Sequence, residues 1–300
     1  MERKNNSKRR AVAFLDLLKP YIYLFPALGV IVVFFLGGFI LALIQSLGYF
    51  PAIGLDDFTL NYYKEVLSDP QFLESLGYTL YIAAVSTAIS TVLGTILAYA
   101  LLKTSLKNSI ISFLYKIPIA VPHLVAALMI VFILSQGGVM ARFFIKTGLI
   151  TETADFPAFF FTRNALGIII IYVWKEIPFV AFMVYAVMKN IHRNLGEVAS
   201  TLNASERQVF CHVILPLSMP SIISASVIVF AFSFGAFEIP YLLGVTYPKT
   251  MSVWAYYSYI SSDLMERPVA MVINIVISLI CSCLVLIYYL STKKYLRRWD

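Results

Sequence analysis

The sequence predicts an all-α, polytopic membrane protein: six transmembrane helices, with a hydrophilic helix-turn-helix between the fourth and fifth. Three observations carry this expectation. Hydrophobic residues make up 60% of the chain and charged residues 13%, whereas a soluble domain carries roughly 25% charged residues, and the mean hydropathy is +0.83. Six stretches are long enough to supply the about 20 apolar residues that a bilayer crossing needs, leaving little chain for a soluble domain. Lys and Arg gather in alternate connections, as they do when one side of a membrane retains the positive charge.

The elements follow in order. Residues 1–19 form a basic arm. The first apolar run, Tyr21 to Ser46, follows that arm as the core of a secretory signal would, but it is too long for one and lacks a clear small-x-small cleavage site, so it is expected to remain as a span. The connection from Leu47 to Ser75 carries Pro51 and Gly54, with a short helix expected over Leu60 to Leu67. The second span is expected from Leu76 to Leu102 and the third from Ile117 to Ala141, opened by Pro118, Pro122 and His123. A Phe-rich connection leads to the fourth span, Ala165 to Met188, and the fifth runs from Leu217 to Phe237. Between Pro240 and Pro268, Trp254, Tyr256, Tyr257 and Tyr259 suit a helix at headgroup level. The sixth span, Val269 to Leu290, precedes a short basic tail. The expected organisation is an arm at 1–19, a six-span body at 20–292 with its polar loop at 189–216, and a tail at 293–300.

A net charge of +7 raises the question of a nucleic-acid partner, and its distribution answers it. If the N-terminus lies inside, 16 of the 23 Lys and Arg fall in the arm, the tail and the two inner connections. Asp56, Asp57, Glu65, Asp69 and Glu74 crowd the first outer connection. The charge is therefore topological: both termini are expected in the cytoplasm, and no nucleic acid is implied.

Inside the membrane, the residues that cost most to bury are the most informative. Lys175 and Glu176 fall near the middle of the fourth span, where each charge costs about 2.5–3.5 kcal/mol on insertion scales. They must face protein or water. As neighbours on a helix they point about 100° apart, so each needs its own partner on another helix, and Pro178 should loosen the span just beyond them. Glu238 stands at the end of the fifth span with Phe230, Phe234 and Phe237 beneath it on one expected face; an acid above aromatic rings attracts an organic cation. These six residues are the candidates for a path through the membrane, with interhelical packing as their alternative role. His123 reads as a packing residue. No metal site is expected, because HExxH, CxxC and facing carboxylates are missing, and no catalytic residue is assigned. Cys211, Cys281 and Cys283 build no disulfide framework. Without GxxxxGK[ST] the chain holds no ATP itself. An ion-coupled carrier would use Lys175, Glu176 and Glu238 as ion partners, but no inverted repeat is visible.

The polar loop reads Glu197-Val198-Ala199-Ser200-Thr201-Leu202-Asn203, then nine residues, then Val213-Ile214-Leu215-Pro216. It resembles the coupling loop of the permease subunits of type I ABC importers, whose pattern is Glu-Ala-Ala, three residues, Gly, nine residues, Ile-x-Leu-Pro. Val198, Asn203 and Val213 are substitutions that keep the physics: two stay apolar, and Asn is the non-glycine residue best suited to a left-handed turn. Ser205 suits an N-cap. Ile117–His123, Trp174–Phe179 and Phe234–Gly244 further resemble the spermidine/putrescine branch, which has relatives handling sulfate, iron, thiamine and phosphonates.

The resemblance implies a multi-pass protein of the bacterial cytoplasmic membrane. Its implied partners are a second permease, paralogous or identical, two ATPase subunits that hold ATP and Mg, and an extracytoplasmic binding protein. By the same resemblance, Glu197 is the polar anchor in the ATPase cleft, Val198 is an apolar coupling residue beside it, Ala199 allows close approach, Asn203 makes the turn, and Leu215 and Pro216 fix where the fifth span leaves the surface. The implied substrate is a polyamine or another small amine, with an anion such as sulfate or a phosphonate as the alternative.

Overall fold

The computed structural model describes residues 19–21, 23–103, 113–193 and 205–296, with side chains to 290. Six spans long and apolar enough to cross a membrane are present among them: Lys19–Ser46, Pro70–Lys103, His123–Lys146, Leu166–Ile191, Glu206–Gly235 and Leu264–Leu290. The expected small helices also form, at Asn61–Ser68 and at Met251–Tyr259. The described residues contain no strand.

Prolines account for most departures from simple rods. The third span is not one helix. A turn at Ile117–Ala120 stops at Val121, which the following Pro122 holds extended (ψ 127°), and a new helix runs over His123–Leu134 before a last piece at Val139–Lys146. In the fifth span Pro216 cannot donate to the carbonyl of His212, and the turn just before it, Phe210–Ile214, widens to π-helical hydrogen bonding. Pro178, by contrast, sits inside one continuous helix over Leu166–Ile191. The fifth span also ends earlier than expected, at Gly235; Ala236 is extended (ψ 139°) and a separate short helix follows over Glu238–Leu243.

The second and fourth spans run side by side in the same direction at the centre of the bundle, with the fifth antiparallel across both. Ser75, Thr79, Ala83, Ser86, Ser90, Gly94 and Ala98 of the second span are all buried. Their spacing of three or four places small side chains along one face, which lets helix backbones approach where lipid supplies no hydrophobic drive. Contact is closest at Gly94: a Cβ there would lie 2.6 Å from Val180 Cβ and 3.0 Å from the Ile177 carbonyl oxygen.

Above and below this crossing lie two apolar clusters. One joins Tyr78, Ile82, Ile130, Ile168 and Tyr172; the other joins Ala98, Val184, Met188, Ile214 and Ile222. A third cluster fastens the Met251–Tyr259 helix, through Met251 and Trp254, to Val272 and Ile273 of the sixth span. Thr79 Oγ1 accepts from the Met251 backbone N–H at 2.9 Å. The first span stands apart: only its last turns meet the sixth span, and Phe34 and Phe35 are more than 70% exposed. Such a surface needs lipid or another protein against it.

Gly94→Ala should lower stability by about 1–3 kcal/mol, because a methyl group is forced against Val180. Gly77→Ala, on the same helix with nothing within 4 Å of the added carbon, should be neutral or slightly stabilising. Thermal unfolding of the purified variants in detergent compares the two; equal behaviour would contradict the tight crossing.

Candidate functional site

Four side chains of the fourth span, Tyr172, Lys175, Glu176 and Phe179, recur at i, i+3, i+4 and i+7 and so share one stripe. That stripe faces two adjoining cavities. One of about 200 Å³ is walled by Lys175, Glu176 and Phe179, by Ile119 and His123 of the broken third span, and by Ile228, Val229 and Phe232 of the fifth. The other, about 280 Å³, is walled by Tyr172, Ala236, Phe237, Glu238 and Ile239. His123 and Phe232 border both, their rings 5.0 Å apart.

The two intramembrane charges are held by neutral groups. Glu176 is 5% exposed. Its Oε2 accepts from Ser90 Oγ of the second span at 2.8 Å and its Oε1 accepts from Ser233 Oγ of the fifth, charge-assisted bonds that offset part of the cost of burial. Lys175 Nζ donates to the carbonyl of Val121. This acceptor exists because Pro122 breaks the third span and leaves Val121 out of the helical ladder. Each charge thus finds its partner on another helix, and among the described residues neither is in an ion pair. Glu176 spends both oxygens on helix packing, and both side chains border the smaller cavity.

Glu238 is exposed at the mouth of the larger cavity. The aromatic face expected beneath it is divided. Phe230 and Phe234 stack at 5.8 Å, but Phe234 is fully buried and lines neither cavity. Phe237 lies past the end of the helix, where the extended Ala236 interrupts the periodicity, and packs on Tyr241 and Tyr256 at 4.9 and 4.6 Å. Of the three expected phenylalanines only Phe237 meets a cavity wall. Phe232, His123, Tyr172 and Phe179 were missed as wall residues. The helical spacing around Lys175 and Glu176 carried the signal for Tyr172 and Phe179.

Glu197, Val198, Ala199 and Asn203 of the polar loop lie outside the described residues. Its described flank begins at Ser205, the expected N-cap, in a reciprocal capping box with Gln208. Leu215 and Pro216 then open the main helix of the fifth span. At this foot of the bundle a cavity of about 360 Å³ is walled by Tyr99, Leu102, Lys103, His192, Glu206, Val209 and Ile214.

A six-span helical body whose interior charges border a cleft is a polytopic membrane protein. The family described as the binding-protein-dependent transport system inner membrane component matches residues 90–297, and the chain belongs to it. It is therefore a permease subunit of an ABC importer.

The chain is 27% identical over 238 residues to the spermidine/putrescine transport system permease protein PotB of Escherichia coli K12, covering 79% of this chain and 83% of that one. It is also 27% identical over 180 residues to the sulfate transport system permease protein CysT of the same organism, covering 58% and 60%. Its fold is shared with a bacterial ABC transporter that imports the acidic polysaccharide alginate (TM-score 0.74, 18% identity, 98% of this chain and 99% of that one). The MetNI methionine ABC transporter is a more distant structural neighbour (TM-score 0.57, 16% identity, 74% and 94%).

Ser90→Ala and Ser233→Ala should each destabilise the protein by about 1–3 kcal/mol, since each strips a hydroxyl from a buried carboxylate. In a Glu176→Gln background the same substitutions should cost less, because a neutral amide is cheaper to leave underpaired. A double-mutant cycle on thermal stability measures the coupling; additive penalties would show that the serines do not act on Glu176.

Proposed function

We propose that the cleft between the third, fourth and fifth spans is this chain's share of the translocation path of an ATP-driven importer. The carrying observation is the stripe Tyr172-Lys175-Glu176-Phe179, which brings two intramembrane charges to one cavity and Tyr172 to the adjoining cavity that Glu238 borders. A second permease, a paralogue or a second copy, closes the path. The exposed first span is the free surface available to that partner or to lipid.

Both termini, the arm 1–19, the tail 293–300 and the loop 189–216 lie in the cytoplasm. There Glu197, Val198, Ala199 and Asn203 meet the separate ATPase, and Leu215 and Pro216 set where the fifth span departs. A loaded binding protein docks on the opposite face. ATP binding and hydrolysis by the partner then shift the complex between an outward-open and an inward-open state, each favoured by a different ligand.

The passenger is a small cation or amine, with a polyamine first. Glu238 supplies negative charge at the mouth, and the rings of Phe237, Phe232 and His123 line the way inward, so an ammonium group exchanges water for a carboxylate and aromatic faces. The similarity to PotB supports this reading. One observation favours a second: Lys175 borders the adjoining cavity and, among the described residues, donates to the Val121 carbonyl and is in no ion pair; this, with the similarity to CysT, supports an oxyanion. Glu238→Gln should lower polyamine uptake by about tenfold while assembly and ATP hydrolysis persist, the effect of losing about 1.4 kcal/mol of attraction for the cation at the mouth. If Glu238→Gln transports normally while Lys175→Met abolishes uptake of sulfate or a phosphonate, the passenger is an anion.

Two further tests address coupling and orientation. Glu197→Lys should leave the protein inserted but abolish ATP-dependent uptake. In a Cys-free background, single cysteines at Asp57 and Lys249 should react with an impermeant thiol reagent added outside, and those at Lys107 and Ser205 should not. Outside labelling at Ser205 would reverse the topology and remove the ATPase contact.

A further inference from the structure

The foot of the second span and the foot of the fifth are joined by an arrangement that none of the path or loop assignments uses. Tyr99 and Lys103 stand four residues apart on the second span, and Glu206 and Phe210 four apart on the fifth, so each pair forms a short ledge on one helix face. The ledges mesh. Lys103 Nζ lies 2.7 Å from Glu206 Oε2, the Tyr99 and Phe210 rings are 3.9 Å apart, and Lys103 Nζ sits 5.1 Å over the Tyr99 ring. His192, at the far end of the fourth span, lines the same cavity as Lys103 and Glu206.

Both ionic side chains are at least half exposed, 51% and 82%, so the pair adds little to stability. Its position is more telling. Glu206 directly follows Ser205, the N-cap at which the polar loop returns to the bundle, and Lys103 ends the helix that carries Gly94 and Ser90. From Lys103 to Ser90 is thirteen residues of unbroken helix, about 20 Å. Over that length the second span is locked to the fourth at Gly94 and holds Glu176 through Ser90.

We propose that Lys103, Tyr99, Glu206 and Phe210 form a latch that makes the second span move with the 189–216 loop, so that displacement of the loop reaches the helix supporting the cleft. These are positioning residues: they touch neither passenger nor nucleotide. The latch rests on the reading of that loop as the ATPase contact. Ile214 also shares an apolar cluster with Ala98 and Met188, but it does so across the π-helical turn over Phe210–Ile214, which with Pro216 leaves the helix most easily deformed, whereas Lys103 and Glu206 join on the loop side of that turn.

The test uses the full complex of this chain with its permease partner and ATPase subunits, reconstituted in liposomes. A single cysteine replaces Ile228, which lines the cleft, in a background without other cysteines, and the readout is the ATP-driven change in its labelling by a thiol reagent per ATP hydrolysed. Lys103→Glu and Glu206→Lys should each reduce this ratio by about threefold, the scale of an exposed ion pair, while the ATPase subunits co-purify in wild-type amounts. The charge-swapped double variant should restore it. A merely structural role would lower the yield of complex in the single variants and leave the ratio of the complex that does assemble unchanged. An unchanged ratio in both single variants, or a double variant as poor as the singles, overturns the latch and leaves the importer reading standing. Labelling of the wild-type complex that is indifferent to ATP overturns that reading and the latch with it.

Discussion

A carboxylate in the middle of a membrane protein constrains everything around it. Glu176 is buried between three helices and, among the described residues, in no ion pair, so its two oxygens must be satisfied by hydroxyls from elsewhere. Ser90 and Ser233 provide them. One hydroxyl comes from the second span and one from the fifth, and together they set the height of both helices against the fourth. Slipping either helix by one residue would carry its serine about 100° around the axis and leave the charge underpaired. The small-residue face of the second span and the close approach at Gly94 make this geometry reachable, because bulkier side chains would hold the helices too far apart.

With this node fixed, the neighbouring residues of the fourth span have little freedom. Lys175 is turned about 100° away from Glu176, toward the third span, where the break at Pro122 presents the Val121 carbonyl. Tyr172 and Phe179 lie one turn above and below. The cleft is thus a by-product of two local rules, a proline that interrupts one span and a charge pair that cannot share a partner. On one stripe Glu176 holds helices together through both its oxygens and Lys175 holds the break in the third span, and both border the same cavity.

Much of this was legible in the sequence. All six spans follow from length and hydropathy, and the small helices over Asn61–Ser68 and Met251–Tyr259 from local composition. Ser205 as an N-cap followed from residue type and position. Lys175 and Glu176 stood out because charge in a span is expensive, and that cost is independent of neighbours. What was not legible depended on where helices stop and what they face. The fifth span looked continuous to Phe237 because nothing local in Phe234-Gly235-Ala236-Phe237 forbids a helix. The structure ends it at Gly235, which divides the expected aromatic face and buries Phe234. His123 read as a lone packing residue because its cavity is assembled from three spans far apart in sequence. Pro178, expected to kink or loosen its span, lies inside a helix assigned without a break over Leu166–Ile191.

The central claim is that the cleft between His123, Lys175, Phe232 and Glu238 is where the passenger crosses. The most direct measurement is a cryo-EM structure of the assembled importer, stalled by an ATPase subunit that binds but does not hydrolyse ATP, with the compound its binding protein delivers. The account predicts density for that compound against Phe232 and His123, between the levels of Glu238 and Lys175. Density for the compound elsewhere in the permease pair, with this cleft closed by packed side chains or lipid, would contradict it.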